Sequence, residues 1–404
     1  MPRLLRRLPD DLRGLARLAA DATVGTAGIV EAVHAQVSLS RTARQMGRRR
    51  GVSGVVYRAV RAVARFSGRS ADAALLPLAR LVRDARDAPS PARREALVAA
   101  LNGVVGDGLE ATGNPLAIAM RLRRGGTVLD PDAPDVPGAT PDVLVLLHGL
   151  CMNDLEWTTA SGHDHGAALE RDAGLTAVYL LYNTGRHIST NGCDAAVLLD
   201  RLVAGWPVPV RSLTLLCHSM GGLVARSAAA QSDAAAPWRR ALARIVFLGT
   251  PHHGSPVERA GNRLDRLLLR SRFSSPLAGL GHVRSAGITD LRHGFLLDAD
   301  WRWRDRFAAR PDPRRPLPLP AGVETFAVAA TASASVGSLV DRLVGDGLVP
   351  VESATGRHAD AAFDLGFVPD RVLVAPGVHH FALLGEVVYP TLLRWLRTPV
   401  LPGD

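Results

Sequence analysis

The segment Leu213-Thr-Leu-Leu-Cys-His-Ser219-Met-Gly-Gly-Leu-Val-Ala-Arg226 guides the interpretation of the whole chain. It opens with an apolar run, typical of a strand buried on both faces, and it closes with a helical pattern. Between the two, Ser219 lies in a short turn with small residues beside it. A tight turn of this kind exposes the serine hydroxyl at the carboxyl end of the strand, next to a helix N-terminus. The segment therefore predicts a nucleophilic serine.

This turn differs from the usual Gly-x-Ser-x-Gly pattern at one position. Cys217 stands where the first glycine is expected, whereas Gly221 keeps the second. Because cysteine is small, we expect the turn to form, with its backbone strain relieved less completely than by glycine.

Short apolar runs alternate with helical patterns from residue 142 onward. Such alternation predicts a mostly parallel sheet with helices on both faces. Gly125 and Gly126 separate two shorter runs and predict a β-hairpin ahead of this sheet. The predicted strands are Val143–Leu147, Ala177–Tyr182, Ser212–Cys217, Arg244–Leu248, Glu324–Ala329 and Arg371–Val374.

The chain before the hairpin has a different pattern. Residues 1–108 predict amphipathic helices rich in arginine, the last of them over Pro91–Val105, and residues 109–404 predict the catalytic domain. The basic helices fit either a bundle or cap on the next domain or a peripheral contact with an anionic membrane. Within the second domain, residues 257–320 interrupt the strand and helix alternation and predict a lid.

The strand Val143–Leu147 runs into His148-Gly149-Leu150. In folds with a serine on such a turn, one backbone N–H after this strand and one just after the serine together stabilise a developing oxyanion. We therefore expect the amides of Leu150 and Met220 to form that site. We expect the His148 side chain to shape the loop rather than to take part in the chemistry.

An acid and a base are expected after the serine, in that order along the chain. Asp346 lies between two glycines in the loop after the fifth predicted strand and is our candidate acid, with Asp341 and Asp364 as weaker alternatives. His380 precedes an apolar run after the last strand and is our candidate base, with His379 as the alternative. His380 would then take the Ser219 proton, and Asp346 would orient the imidazole.

Three segments together resemble lipases and the GPI inositol-deacylase-like esterases of the α/β-hydrolase superfamily. They are Cys217–Arg226, Phe247-Leu-Gly-Thr-Pro-His-His-Gly-Ser-Pro256 and Gly345-Asp-Gly-Leu-Val-Pro350. The resemblance covers the chain from about Leu109 and implies an α/β-hydrolase fold, hydrolysis of carboxylic esters and a lid over an apolar acyl site. It carries Ser219, Asp346 and His380 over as a catalytic triad, and it implies no cofactor.

Composition and residue spacing bear on the partners, metal content and location of the protein. The 48 basic residues are all arginine and outnumber 38 acidic ones, yet aromatics are 5% and no nucleic-acid module is recognisable, so we expect no nucleic-acid partner. The paired histidines lack a second cluster at ligand spacing, so we expect no metal.

Three cysteines and no apolar leader predict a cytoplasmic protein, free or peripherally bound to membranes. A thioesterase, an acyltransferase and a non-catalytic membrane scaffold remain alternatives to an esterase or lipase.

Overall fold

The fold is described from a computed structural model that covers residues 13, 14, 17, 92–255, 284–307, 312–333 and 345–397. Apart from residues 13, 14 and 17, the helices predicted before residue 91 lie outside these ranges, and so do residues 257–283 and 308–311 of the predicted lid. The division at Gly108, the basic helices and the lid therefore stay predictions.

The described chain alternates strands and helices after an initial helix, in which Val105 leaves helical geometry. This helix confirms the last helix predicted before the hairpin and extends beyond it. The remaining elements follow in the order expected from the sequence, with three short 3₁₀ turns among them. In chain order the elements are α1 Ala92–Ala111, β1 Arg121–Arg124, β2 Thr127–Leu129, β3 Asp142–Leu147, α2 His165–Ala173, β4 Thr176–Leu181, α3 Ile188–Gly205, β5 Ser212–His218, α4 Met220–Gln231, α5 Pro237–Ala241, β6 Leu242–Leu248, α6 Ala286–Asp290, α7 Asp298–Trp301, β7 Glu324–Thr331, α8 Val351–Ala354, β8 Val372–Pro376 and α9 Tyr389–Arg397.

The strands form one sheet in the order β2-β1-β4-β3-β5-β6-β7-β8. The strand β1 runs antiparallel to both β2 and β4, and the neighbouring pairs from β4 to β8 are parallel. The predicted hairpin at Gly125 and Gly126 and the six predicted strands are confirmed, with ends that differ by one or two residues. Parallel strands bring their carboxyl ends to one edge of the sheet, so residues that follow β5, β7 and β8 share that edge.

Both faces of the sheet are buried, which explains the continuous apolar runs in the sequence. Along β3, Val143 and Val145 pack in one cluster with Leu199 of α3 and Leu223 of α4. Leu144 and Leu146 pack on the opposite face with residues of α2 and α9, among them Leu169, Leu392 and Trp395. Alternate side chains of a strand point to opposite faces, so each central strand joins two cores.

The chain divides into two compact units. The larger comprises residues 92–107, 118–259 and 285–404 and contains the whole sheet. Within it, the first part of α1 packs as an integral element. Arg123 of β1 donates to Glu95 at 3.3 Å and to Asp154 at 2.7 Å, and Arg306 donates to Asp107 at 2.7 Å.

In the smaller unit the described residues include 108–117, and there Arg17 donates to the Gly113 carbonyl at 2.7 Å. Searching the described ranges of both units finds no helix that combines the length and the apolar character needed to cross a membrane.

Candidate active site

Ser219 occupies a strained backbone position between β5 and α4. Its φ of 53° and ψ of −122° are rarely adopted by any residue but glycine, and its amide donates to the Leu248 carbonyl at 2.8 Å. Such strain costs of the order of 1–3 kcal/mol and persists only where the surrounding structure imposes it. Ser219 also precedes the first residue of α4, where the helix dipole favours negative charge.

The turn leaves no room for larger side chains on its helical side. A Cβ atom on Gly221 would lie 2.4 Å from the Leu147 carbonyl oxygen, and one on Gly222 would lie 2.1 Å from Thr250 Oγ1. The unusual Cys217 is fully buried, and its neighbours on the adjacent strands are Leu147 and Phe247. Burial raises the pKa of the Cys217 thiol well above its usual value, so this thiol stays neutral. The fold therefore accommodates cysteine at the first position as a small apolar residue.

His380 and Asp346 form a buried hydrogen-bonded pair. His380 Nδ1 lies 2.6 Å from Asp346 Oδ2, and both residues are only 3% exposed. The other carboxylate oxygen, Oδ1, accepts the amides of Leu348 at 3.0 Å and Val349 at 2.8 Å. The carboxylate is thus fixed by the backbone on one side and faces the imidazole on the other, which holds the hydrogen of a neutral His380 on Nδ1.

Two glycines set the conformation of the loop that carries Asp346. Gly345 has a φ of 56° and Gly347 a φ of 98°, both in the region that disfavours residues with a side chain. A Cβ on Gly345 would lie 2.0 Å from the Val349 carbonyl oxygen. The Gly-Asp-Gly sequence therefore reflects a tight turn that points the carboxylate at His380.

The pair lies next to the serine turn. Leu248, which accepts the Ser219 amide, is followed by Gly249, and a Cβ there would lie 2.9 Å from His380 Cε1. The ring of His218, the residue before the serine, lies 4.8 Å from the ring of His380 between centroids. Within the described ranges no hydrogen bond joins the Ser219 hydroxyl to His380. Such contacts are often long in the absence of substrate and shorten when it binds.

The two predicted oxyanion donors are also at this edge. A Cβ on Gly149 would lie 3.1 Å from Ser219 Cβ, which places the loop carrying Leu150 against the serine. Neither the Leu150 amide nor the Met220 amide donates to another group in the described part of the chain. Two unengaged N–H groups beside a nucleophile can stabilise the charge that develops on a carbonyl oxygen.

The alternative candidates for the acid and the base do not form such a pair in the described residues. His379 and Asp364 are exposed, and Asp364 accepts the Gly366 amide at 2.9 Å within its own turn. Asp341 lies outside the described residues. His148 is fully buried, and its ring stacks on Tyr182 at 4.4 Å. Burial lowers the pKa of His148 to about 4, which fits a neutral structural side chain.

Sequence reasoning missed a histidine, His165, that contacts the turn carrying His380. His165 lies 3.0 Å from the Leu383 carbonyl, in the 3₁₀ turn that begins at His380, and 2.8 Å from His163. In the sequence around it, Gly-His-Asp-His-Gly, Asp164 caps α2 by accepting the Ala167 amide at 3.1 Å. Nothing in that pattern signals the distant contact with Leu383. The described residues contain no cluster suited to a metal ion.

The sheet order, the strained serine after β5, and the hydrogen-bonded carboxylate and imidazole that follow β7 and β8 define an α/β-hydrolase fold. Residues 195–331 match the model of the PGAP1-like alpha/beta domain family, which confirms the resemblance drawn from the sequence. No curated protein sequence matches the chain.

Several solved structures are similar to the chain at low identity. The esterase Pf2001 from Pyrococcus furiosus is 11% identical, with 64% of this chain and 80% of that chain covered and a TM-score of 0.35. An esterase from Pyrobaculum calidifontis is 14% identical, with coverages of 69% and 83% and a TM-score of 0.36. The phospholipase PlaB from Legionella pneumophila is 15% identical, with coverages of 52% and 45% and a TM-score of 0.32, so the chain spans under half of that protein.

Proposed function

We propose that the chain is a serine hydrolase that cleaves carboxylic esters through Ser219, His380 and Asp346. The observation that carries this proposal is the buried pair of His380 Nδ1 and Asp346 Oδ2, 2.6 Å apart, beside a serine with a φ of 53°. A buried carboxylate that faces an imidazole, next to a strained serine, is the arrangement that generates an alkoxide-like nucleophile at neutral pH.

The reaction proceeds in two half-reactions. In the first, His380 Nε2 accepts the hydroxyl proton while Ser219 Oγ bonds to the ester carbonyl carbon, and the amides of Leu150 and Met220 stabilise the oxyanion. Collapse of this intermediate breaks the bond to the alcohol oxygen, which takes the proton from His380 and leaves. Water then attacks the acyl-enzyme with His380 again as base, and the carboxylic acid and the free serine are restored.

Esters and lipids are the proposed substrates, in line with the resemblance of Cys217–Arg226 and Phe247–Pro256 to GPI inositol-deacylase-like esterases. A p-nitrophenyl ester series from acetate to palmitate tests the proposal. We expect turnover by the wild type, none by Ser219→Ala, and undiminished turnover by Ser212→Ala. Ser212 is a matched control because it lies at the opposite end of the same strand, where its hydroxyl donates to Asp142 at 2.7 Å.

A fluorophosphonate probe separates the alternatives. Labelling of the wild type but not of Ser219→Ala, without hydrolysis of any ester, would favour an acyltransferase or a thioesterase. Absence of labelling in a folded protein would favour the non-catalytic scaffold and refute the proposal.

We further propose that the basic N-terminal segment attaches the protein peripherally to anionic membranes. The support is the arginine-rich sequence, including the run Arg48–Arg50. Full-length protein should co-sediment with phosphatidylserine vesicles, and replacement of these three arginines by glutamine should weaken this binding. Equal sedimentation of the two proteins would refute the attachment.

A further inference from the structure

A second polar pocket lies beside α4. Its lining includes Arg226, Arg314, Arg315 and His252. Arg226 is seven residues from Ser219 along the chain, which corresponds to about 10 Å along a helix axis. None of the residues assigned above to ester hydrolysis lines this pocket.

Arg226 is buried without a carboxylate partner. The residue is 4% exposed, and among the described residues no acidic side chain lies within ion-pair distance of it. One of its terminal nitrogens lies 3.3 Å from His252 Nδ1, and the other donates to the Leu317 carbonyl at 2.6 Å. A guanidinium has five N–H groups, so three remain without an acceptor in the described part of the chain, including that on Nε. A buried cation in this state is costly unless an anion accompanies it.

His252, which also lines the pocket, carries a second buried N–H without an acceptor in the described residues. Burial lowers its pKa well below the usual value, so the ring is neutral. Its Nδ1 faces the Arg226 guanidinium, which has only donors, so Nδ1 accepts and the hydrogen must be on Nε2. Within the described ranges Nε2 has no hydrogen-bond partner. Two adjacent side chains therefore present buried N–H groups that lack acceptors.

The other charged groups leave the pocket positive. Arg314 pairs with Asp312 at 2.7 Å and donates to the His252 carbonyl at 3.0 Å, whereas Arg315 is exposed. The acidic residue in the lining is Asp300, and its Oδ2 accepts two backbone amides at 2.8 and 2.9 Å. With Arg314 paired to Asp312, two further arginines, Arg226 and Arg315, thus face the one carboxylate of Asp300, which the backbone already engages.

We propose that this pocket binds a phosphate group, whose source is a lipid headgroup or inorganic phosphate. Arg226 donates to its oxygens through the N–H groups that lack acceptors in the described part of the chain, and the exposed Arg315 attracts it electrostatically. A phosphate suits this site because its oxygens can accept from several donors at once, and its charge offsets the buried guanidinium. This site lies outside the proposed catalytic residues and adds a binding function to ester hydrolysis.

Binding can be measured without turnover, in the full-length Ser219→Ala protein. We expect calorimetric titration with inorganic phosphate at constant ionic strength to show saturable binding. Arg226→Met should weaken it at least about tenfold, because the main charge-assisted donor is lost. Arg239→Met is the matched control and should bind as the parent does. Arg239 also has buried nitrogens without partners in the described residues, but it lies on α5 and does not line the pocket.

Absence of phosphate binding, or equal binding by Arg226→Met, would overturn the proposal, because the pocket would then bind no anion through Arg226. If Arg226→Met does not fold, Arg315→Gln decides. This exposed substitution should weaken binding at least about threefold, and unchanged affinity would overturn the proposal.

Kinetics on the Ser219-containing protein identify the source of the phosphate. We compare a phospholipid with a diacylglycerol that has the same acyl chains. A KM increase in Arg226→Met for the phospholipid alone assigns the pocket to a lipid headgroup. Unchanged KM values, with phosphate binding lost in the same variant, assign it to inorganic phosphate. This step rests on the proposed ester hydrolysis, whereas the calorimetry does not, so the two proposals fail independently.

Discussion

Asp346→Asn is expected to abolish most of the activity while it preserves the fold. Asp346 Oδ1 accepts two backbone amides, from Leu348 and Val349, and Oδ2 faces His380 Nδ1 at 2.6 Å. In the variant, only the amide oxygen can accept the two backbone N–H groups. The amide nitrogen must then take the place of Oδ2 and donate to His380 Nδ1.

This orientation reverses the tautomer of the base. With Nδ1 as acceptor, the hydrogen moves to Nε2, which can no longer accept the Ser219 proton. In a serine protease the equivalent change lowers kcat about 10⁴-fold. At 1.36 kcal/mol for each factor of ten, this corresponds to about 5.4 kcal/mol in the activation barrier. We expect a loss of this size here because the two backbone donors prevent the amide from flipping.

The assay is hydrolysis of the best p-nitrophenyl ester at pH 7 to 8, with kcat and KM determined separately. KM should stay within about threefold, because Asp346 is buried behind the imidazole and does not face the substrate. Asp364→Asn is the control and should retain full activity, because its side chain is exposed and only caps a local turn. A loss in Asp346→Asn of less than about tenfold would refute the tautomer argument.

Other substitutions test the remaining parts of the site. His380→Ala should remove activity to the level of Ser219→Ala, whereas His379→Ala, at an exposed position, should stay within about threefold of the wild type in the same assay; the reverse result would make His379 the base. Gly222→Ala should lower the free energy of unfolding by about 1–3 kcal/mol in urea titration, because its Cβ would lie 2.1 Å from Thr250 Oγ1; unchanged stability would mean that the loop at Thr250 can move away. Stability should also fall at acidic pH. Burial lowers the pKa of His148 and of His165 to about 4, so the stability present above pH 6.5 is lost as the pH falls from 6.5 towards 4, where only the unfolded chain binds these protons. A melting temperature that does not change from pH 7 to pH 4.5 would contradict this, and His148→Gln should make the dependence shallower.

The sequence predicted the fold because its main signals are local. A strand buried on both faces has a short run of consecutive apolar residues. The turn at Ser219 requires small residues next to the serine, and these are adjacent in the sequence. The pairing of Asp346 with His380 followed from chain order, although they are separated by a strand. Their 2.6 Å contact needed the structure, because only the parallel order of β7 and β8 brings both loops to one edge.

Other features depend on contacts between distant segments and leave no local pattern. His165 bonds to the turn after His380 across more than two hundred residues. Nothing in the sequence around Arg226 indicates that its guanidinium is buried with no carboxylate partner among the described residues, because arginines in helices are usually exposed to solvent. The small size of Cys217 predicts that the turn can form. That its thiol is fully buried and neutral depends on the packing of the neighbouring strands, which the sequence alone does not show.

The contacts of helix α1 limit how far the unit that contains the sheet can be truncated from its N-terminal side. Its Glu95 and Asp107 accept from Arg123 and Arg306, and its Gly103 carbonyl accepts the Ser285 hydroxyl at 2.6 Å. A fragment that starts at the first hydrolase-like motif would leave these three donors without those acceptors. A fragment that keeps all three acceptors therefore begins at or before Glu95, well upstream of Ser219 and the residues proposed to act with it.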